Sequence, residues 1–163
     1  MVCSIVLCLS DYHHTMMYTL RVLQYPDMKL LMFYVHDWWY KTALKSISEA
    51  PDLERDESVE DTVVIFFHSE ADDEGKREGV IQKFVKNVKW IAGKFSTRRV
   101  VLHSFNHLSS SKSPPEFAHA LLDETAERLR RTGYEVTCTP FGYFNEFRMH
   151  VAGDSLAKVY KEF

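Results

Sequence analysis

The run ThrValValIlePhePheHis from Thr62 to His68 constrains this chain more than any other stretch. An unbroken apolar segment closed by polar residues is the pattern of a central strand. The flanking sequence supplies what such a strand needs. Residues 29–41 are β-branched, aromatic and apolar, and predict a strand that bends or doubles back near Asp37 and Trp38. Residues 42–60 mix Ser, Pro and acids and read as a short helix plus loop. The acidic stretch Ser69–Lys76, with Glu70, Asp72, Asp73 and Glu74, reads as a solvated loop and helix N-terminus, without metal-loop spacing. Ile81, Phe84, Val85, Val88, Ile91 and Phe95 then recur at helical spacing, with Lys83, Lys86 and Lys89 on other faces.

A strand over Arg98–Ser104 follows, and a Ser-rich stretch leads to Pro114 and Pro115, where a second helix starts. Ala118, Leu121, Leu122, Thr125 and Leu129 form its apolar face, and Gly133 stands at the C-terminal cap position. Tyr134–Thr139 predicts a strand, Pro140 to Gly142 a turn, Tyr143–Val151 a strand, and Ser155–Glu162 a short closing helix. Strands and helices alternate until a final antiparallel pair, so the expected class is α/β, a mixed β-sheet with two main helices and a short C-terminal helix.

The 163 residues suit one domain, 28–163, and composition narrows what it does. A net charge of −3 argues against a dedicated duplex-DNA binder while leaving room for a small nucleic-acid contact. Cys3, Cys8 and Cys138 are too few and scattered for a disulfide framework or a zinc site, so a reducing cytoplasm is expected. Neither a metal nor a cofactor is expected, since no glycine-rich phosphate loop or metal-ligand motif occurs. The apolar run Val2–Leu9 is too short to span a bilayer and lacks the features of a secretory signal, so no membrane is expected. Residues 1–27 carry few charges and precede Met28, which reads like the start of a cytosolic α/β protein. They are either an over-extended gene start or arm, or an ordinary strand and helix packed on the domain.

Two segments concentrate candidate chemistry. The first, His103 to Ser111, leaves a buried strand and enters a polar loop before a helix, carrying Phe105, Asn106 and His107. Ligands gather at such strand ends, where backbone groups are free. The plain alternative is a flexible serine loop. His68 and His103, also near strand ends, read more readily as structural. The second segment runs from Pro140 to Phe147. Gly142 permits a tight turn with close backbone approach. Strand alternation then puts Tyr143, Asn145 and Phe147 on one face and Phe144, Glu146 and Arg148 on the other, where Glu146 and Arg148 would pair in solvent.

Together these segments carry a resemblance. HisLeuSerSer at His107–Ser110, ArgArgThrGlyTyrGluVal at Arg130–Val136, ProPheGlyTyr at Pro140–Tyr143 and GlyAspSerLeuAla at Gly153–Ala157 follow one another as in the archaeal threonyl-tRNA synthetase editing domain. The chain resembles that family from about Met28 to the C-terminus, most closely from Val100 onward. The resemblance implies the fold of D-aminoacyl-tRNA deacylases and hydrolysis of serine wrongly esterified to threonine tRNA, by water assisted by a ribose hydroxyl. Such an editing step is needed because a site that accepts threonine rejects serine by only about 1–3 kcal/mol. A free-standing module acting on the aminoacylated 3′ end of tRNA is expected, as a homodimer and in contact with a threonyl-tRNA synthetase. Other readings are a non-catalytic module that binds tRNA or aminoacyl-adenosine, and a D-aminoacyl-tRNA deacylase-like enzyme.

Carried over position by position, His107 matches the family histidine of the pocket, and Phe141, Gly142 and Tyr143 match the turn beside it. Phe105 and Asn106 accompany them as substrate-binding candidates. Phe144 and Asn145 stand where the family has Tyr and Lys, and Lys158 stands where it has Glu. Asn145 and Lys158 are thus catalytic candidates by position, Lys158 either reaching back for the absent lysine or meeting tRNA phosphate. Tyr34 and His36 replace the family's first-strand His-x-Asp and are expected to bind substrate.

Overall fold

The computed structural model describes residues 28–163, which form one six-stranded sheet with two long helices. Its axis is β1 (Lys29–Lys45), which pairs antiparallel with β2 (Asp56–His68) along one edge. Two right-sized connections then return the chain to parallel neighbours. Helix α1 (Arg77–Lys94) leads from β2 to β3 (Arg99–Ser104), and α2 (Pro115–Arg130) leads to β4 (Glu135–Cys138). The other edge of β1 is shared end to end. Strand β5 (Tyr143–Val151) covers Val35–Lys45, and β6 (Lys158–Glu162) covers Lys29–Phe33. The backbone N–H of Phe163 donates to the carbonyl of Met28 at 3.1 Å, extending that last pairing by one step.

The alternation of side chains along β1 and β2 splits the core. Leu30, Met32, Val63, Ile65 and Phe67 face both helices, meeting Ile81, Phe84, Val88, Leu121 and Leu129. Val35, Trp38, Tyr40, Val64, Phe66 and Val101 form a second cluster on the opposite face. The sequence of β2 is apolar on successive residues because both faces are covered. The predicted mixed α/β sheet with two main helices is therefore the architecture found.

Four local expectations are corrected. Residues 42–60 hold no helix: β1 continues to Lys45 and β2 starts at Asp56. Pairing overrides the helical appearance of LysThrAlaLeuLys, since Thr42, Leu44 and Lys45 lie opposite Asn145, Phe144 and Tyr143. β1 also does not double back. It keeps one direction through a register shift between Val35 and Asp37. Residues Ser155–Glu162 are not a helix but a short 3-10 turn at Ser155–Ala157 followed by β6, which fills the edge of β1 that β5 leaves uncovered. The expected acidic, solvated stretch is a 3-10 turn (Ala71–Lys76) in which Glu70 and Asp73 are buried. The Asp73 carboxylate accepts the Glu70 N–H at 2.8 Å, a reciprocal cap. The reading of residues 1–27 lies outside the described residues. Among the described residues no helix is long and apolar enough to cross a membrane.

Candidate functional site

Parallel strands that end together leave backbone groups and side chains pointing past the sheet, and here a cleft of about 410 Å³ opens at that end. The end of β3 contributes His103 and Ser104, and its following loop contributes Phe105, Asn106 and His107. The exit of β4 contributes Thr139, Pro140, Phe141 and Gly142, and the start of β5 contributes Tyr143, Phe144, Asn145 and Phe147. Ser46 and Ile47, from the turn after β1, close one wall, while Lys112 and Pro115 stand at the approach to α2.

The loop carrying His107 is fastened, contrary to the flexible alternative. Phe105 N–H donates to Phe67 O at 2.9 Å, and Ser113 N–H donates to Ser69 O at 2.9 Å. Between them, buried His68 uses both ring nitrogens. Nδ1 lies 3.3 Å from the Leu108 N–H and Nε2 lies 2.6 Å from Ser111 O, which fixes a neutral ring with the proton on Nε2. Beside it Lys29 and Glu70 form a buried ion pair at 2.5 Å. Burial opposes the charge of Glu70, yet hydrogen bonds from Lys29, Ser109 and Ser111 hold its carboxyl below the usual carboxylate range. A buried group so paired anchors the loop to the end of β2.

The opposite wall depends on a glycine. Gly142 has φ +80°, and its carbonyl accepts the N–H groups of Ser46 at 2.8 Å and Ile47 at 3.2 Å. A Cβ there would lie 3.0 Å from that of Ala50 and 3.3 Å from that of Ile47. The close approach expected of Gly142 is thus to the turn after β1. Tyr143 completes the join, donating its hydroxyl to Pro51 O at 2.7 Å and accepting the Leu53 N–H at 3.0 Å. On its far side lies a broader hollow of about 1140 Å³, but its charged rim pairs internally, Lys45 with Asp52 at 2.5 Å and Lys41 with Asp56 at 3.9 Å.

Asn145 faces inward as alternation predicts, and its Nδ2 is drawn to the carbonyls of Pro140 at 3.3 Å and Tyr143 at 3.4 Å. Its Oδ1 is sealed from solvent without a partner among the described residues. Phe144 stands 59% exposed at the lip, across from exposed Leu44. Glu146 and Arg148 do not pair as expected. Arg148 reaches Asp37 across the strands at 3.4 Å instead.

The remaining carried-over residues stand elsewhere. Tyr34, His36 and Lys158 do not line this cleft. Tyr34 stacks on Phe95 with ring centres 4.2 Å apart and leans its hydroxyl toward Asp61 at 3.4 Å. Burial and then the Asp61 charge push its phenol pKa up. His36 Nδ1 lies 3.5 Å from Asp61, and its ring meets that of His150 at 5.3 Å. Lys158 is opposite Phe33 and Asn145 opposite Thr42, so ~30 Å of strand separates the two at ~3.3 Å per residue. That geometry removes Lys158 as a stand-in for the family lysine in the cleft.

Several lining residues carried no distinctive sequence signal. Ser46 and Ile47 reach the cleft through a turn that had been read as part of a helix and loop. Exposed His119, on α2, stacks flat on Phe141 at 4.6 Å, a contact across distant sequence. His103 and Thr139 were visible only as the ends of strands.

Known proteins bear directly on this arrangement. Residues 28–163 match the family model described as the archaea-specific editing domain of threonyl-tRNA synthetase. The threonine–tRNA ligase of Thermococcus kodakarensis is 32% identical over 117 residues, covering 72% of this chain and 19% of that protein. That of Hyperthermus butylicus is 28% identical over 142 residues, covering 83% and 23%. The chain thus spans about a fifth of the length of these relatives. Among solved structures, the c-Myc DNA Unwinding Element Binding Protein aligns with a TM-score of 0.56 at 14% identity, covering 83% of this chain and 98% of that one. That likeness concerns the fold alone.

Proposed function

Because this chain belongs to the archaea-specific editing domains of threonyl-tRNA synthetase, we propose that it hydrolyses mischarged aminoacyl-tRNA, with Ser-tRNA(Thr) as substrate. The observation that carries this reading is the convergence of Phe105, Asn106, His107 and Phe141–Asn145 on one cleft. Its volume of about 410 Å³ suits one aminoacylated terminal nucleotide rather than a length of helix. Phe144 at the lip offers a flat surface on which a base stacks, and such stacking is worth about 1–3 kcal/mol. His107, exposed on a fastened loop, offers a hydrogen bond to the ester end. Water attacks the ester with help from a ribose hydroxyl, so no nucleophile triad is needed.

A domain that grips only the 3′ end of tRNA needs no basic surface, which agrees with a net charge of −3. The partners in this reading are the tRNA end, a threonyl-tRNA synthetase and a second copy of the chain, and the setting is the cytoplasm. The test is release of serine from Ser-tRNA(Thr), beside Thr-tRNA(Thr) and D-aminoacyl-tRNA. Preferential cleavage of the serine ester is expected, and preferential cleavage of the D-aminoacyl ester would favour the deacylase-like alternative. No turnover above the buffer rate for any of them sinks the enzymatic reading.

One observation favours a non-catalytic binder instead. The Asn145 amide is committed to the carbonyls of its own turn, so it supplies no fixed charge where the family has lysine. Tight binding of a non-hydrolysable seryl-adenosine without turnover of the ester would establish that second reading.

A further inference from the structure

His103 is the one histidine of the cleft held inside its floor. It is 5% exposed and boxed by aromatic rings, with Phe66 at 4.8 Å, Phe147 at 5.6 Å and Trp38 at 5.8 Å. Its Nδ1 lies 2.9 Å from Thr139 Oγ1, and that hydroxyl lies 3.5 Å from Leu102 O. Protons can satisfy both contacts in one way: Nδ1–H donates to Thr139, and the Thr139 hydroxyl donates onward to Leu102. The opposite tautomer satisfies one contact and leaves the other without a proton. In the favoured arrangement Nε2 is a bare acceptor. It has no partner among the described residues, and it is not among the unpartnered polar atoms sealed from solvent there. Since His103 lines the cleft, Nε2 is open to whatever the cleft holds.

We propose that His103 Nε2 accepts a hydrogen bond from an O–H donor at the bound ester, either the ribose hydroxyl of the terminal nucleotide or the attacking water. This rests on the deacylase reading and adds to it a contact residue that the family motifs do not include. Burial pushes the imidazole pKa down to about 4. The ring therefore stays neutral, and its acceptor stays available, throughout the range in which an aminoacyl ester is handled.

The test compares His103→Asn with His103→Gln. An asparagine amide overlaps the Nδ1 side and keeps the Thr139 contact, whereas a glutamine amide overlaps the Nε2 side. On Ser-tRNA(Thr), His103→Asn should lower kcat/KM about tenfold or more, and His103→Gln should recover part of that loss. A purely structural histidine predicts the reverse order. Binding of non-hydrolysable seryl-adenosine, with a ribose 2′-hydroxyl or as the 2′-deoxy analogue, separates the two donors. If the ribose is the donor, His103→Asn loses the wild-type preference for the hydroxyl-bearing analogue. If water is the donor, the preference remains and kcat falls with KM unchanged. A His103→Asn protein that melts like wild type and keeps both its kcat/KM and its analogue preference overturns the proposal. Should both variants fail to fold, the Nε2 nitrogen resonance of the wild-type ring decides, shifting on addition of the ribose analogue or, if it stays in place, refuting the contact. Wild-type protein that neither cleaves the ester nor binds either analogue removes the deacylase reading first, and this contact with it. Wild-type protein that cleaves the ester, beside a folded His103→Asn that matches its kcat/KM and analogue preference, removes the contact alone.

Discussion

The two halves of β1 serve the cleft differently: the Lys45 end leads into its wall, and the Lys29 end supplies only a buried ion pair behind the His107 loop. Toward Lys45 the strand is joined by chain segments remote in sequence. Gly142 and Tyr143 bind the turn after β1, which sets Ser46 and Ile47 in the cleft wall. Toward Lys29 the strand is closed by β6, and the polar contacts near Tyr34 and His36 reach solvent. His36 and Asp61, for instance, expose 52% and 63% of their side chains. Exposed pairs of that kind contribute roughly 0–1 kcal/mol. The contrast teaches that matched motif positions do not share a location merely because they share a family. Phe105–His107 and Phe141–Asn145 meet in the cleft, while Tyr34, His36 and Lys158 stay at the other end.

Substitutions at the two ends test that contrast. The largest effect is expected from His107→Ala, which should lower kcat/KM on Ser-tRNA(Thr) by about 100-fold or more, the scale of a lost proton-transfer or positioning group. Steady-state rates measure it, and a wild-type rate would detach His107 from the chemistry. Gly142→Val should cost about 3–5 kcal/mol in urea unfolding, because a β-branched side chain meets both a positive φ and the Ala50 and Ile47 side chains. Gly133→Ala is the control, with φ +82° but open space around it, and should cost about 1–2 kcal/mol. Equal losses would mean that the close approach at Gly142 contributes nothing.

Acid should weaken the cleft end through His103. Its pKa is about 4 when folded, against an ordinary value of about 6.5 in the unfolded chain. The unfolded chain therefore takes up the proton first as pH falls. Stability that is complete above pH ~6.5 drains away down to pH ~4, by about 3 kcal/mol. Thermal melts should show a smaller acid loss in His103→Asn, and identical pH dependence in both proteins would refute this burial effect. Tyr143→Phe removes two hydrogen bonds from the Pro51–Leu53 turn and should cost about 1–2 kcal/mol, read in the same unfolding experiment. The smallest effect belongs to the other end of β1. Lys158→Ala should change kcat/KM less than about threefold, the scale of a remote surface charge. A large loss there would break the division between the two ends.

What the sequence revealed follows the reach of its signals. The run at Thr62–His68, the helical spacing from Ile81 to Ile91 and the Pro114–Pro115 helix start are local patterns, and each produced the element found. LysThrAlaLeuLys near Lys45 and LysValTyrLys near Val159 were misread for a single reason. Their conformations are set by a partner strand, and neither short segment carries a period strong enough to announce it. The cleft divides in the same way. Its motif-bearing walls were legible in HisLeuSerSer and ProPheGlyTyr. The wall at Ser46 and Ile47, the stack of His119 on Phe141 and the tether of His103 to Thr139 depend on contacts between distant stretches. The serine loop was ambiguous because its fastening resides in His68 and Glu70, a whole helix earlier in the chain.

The bond from Phe163 N–H to Met28 O sets the first and last described residues side by side. A domain whose entry and exit points touch can be carried inside a longer polypeptide as a cassette, since the host chain leaves and rejoins its own path with little detour. The pairing of β6 with the start of β1 also clasps that doorway, so a tug on either flank loads the same short ladder of hydrogen bonds first. Mechanical strain from an attached neighbour would thus reach Lys29 directly, the residue whose buried pairing with Glu70 stands behind the His107 loop.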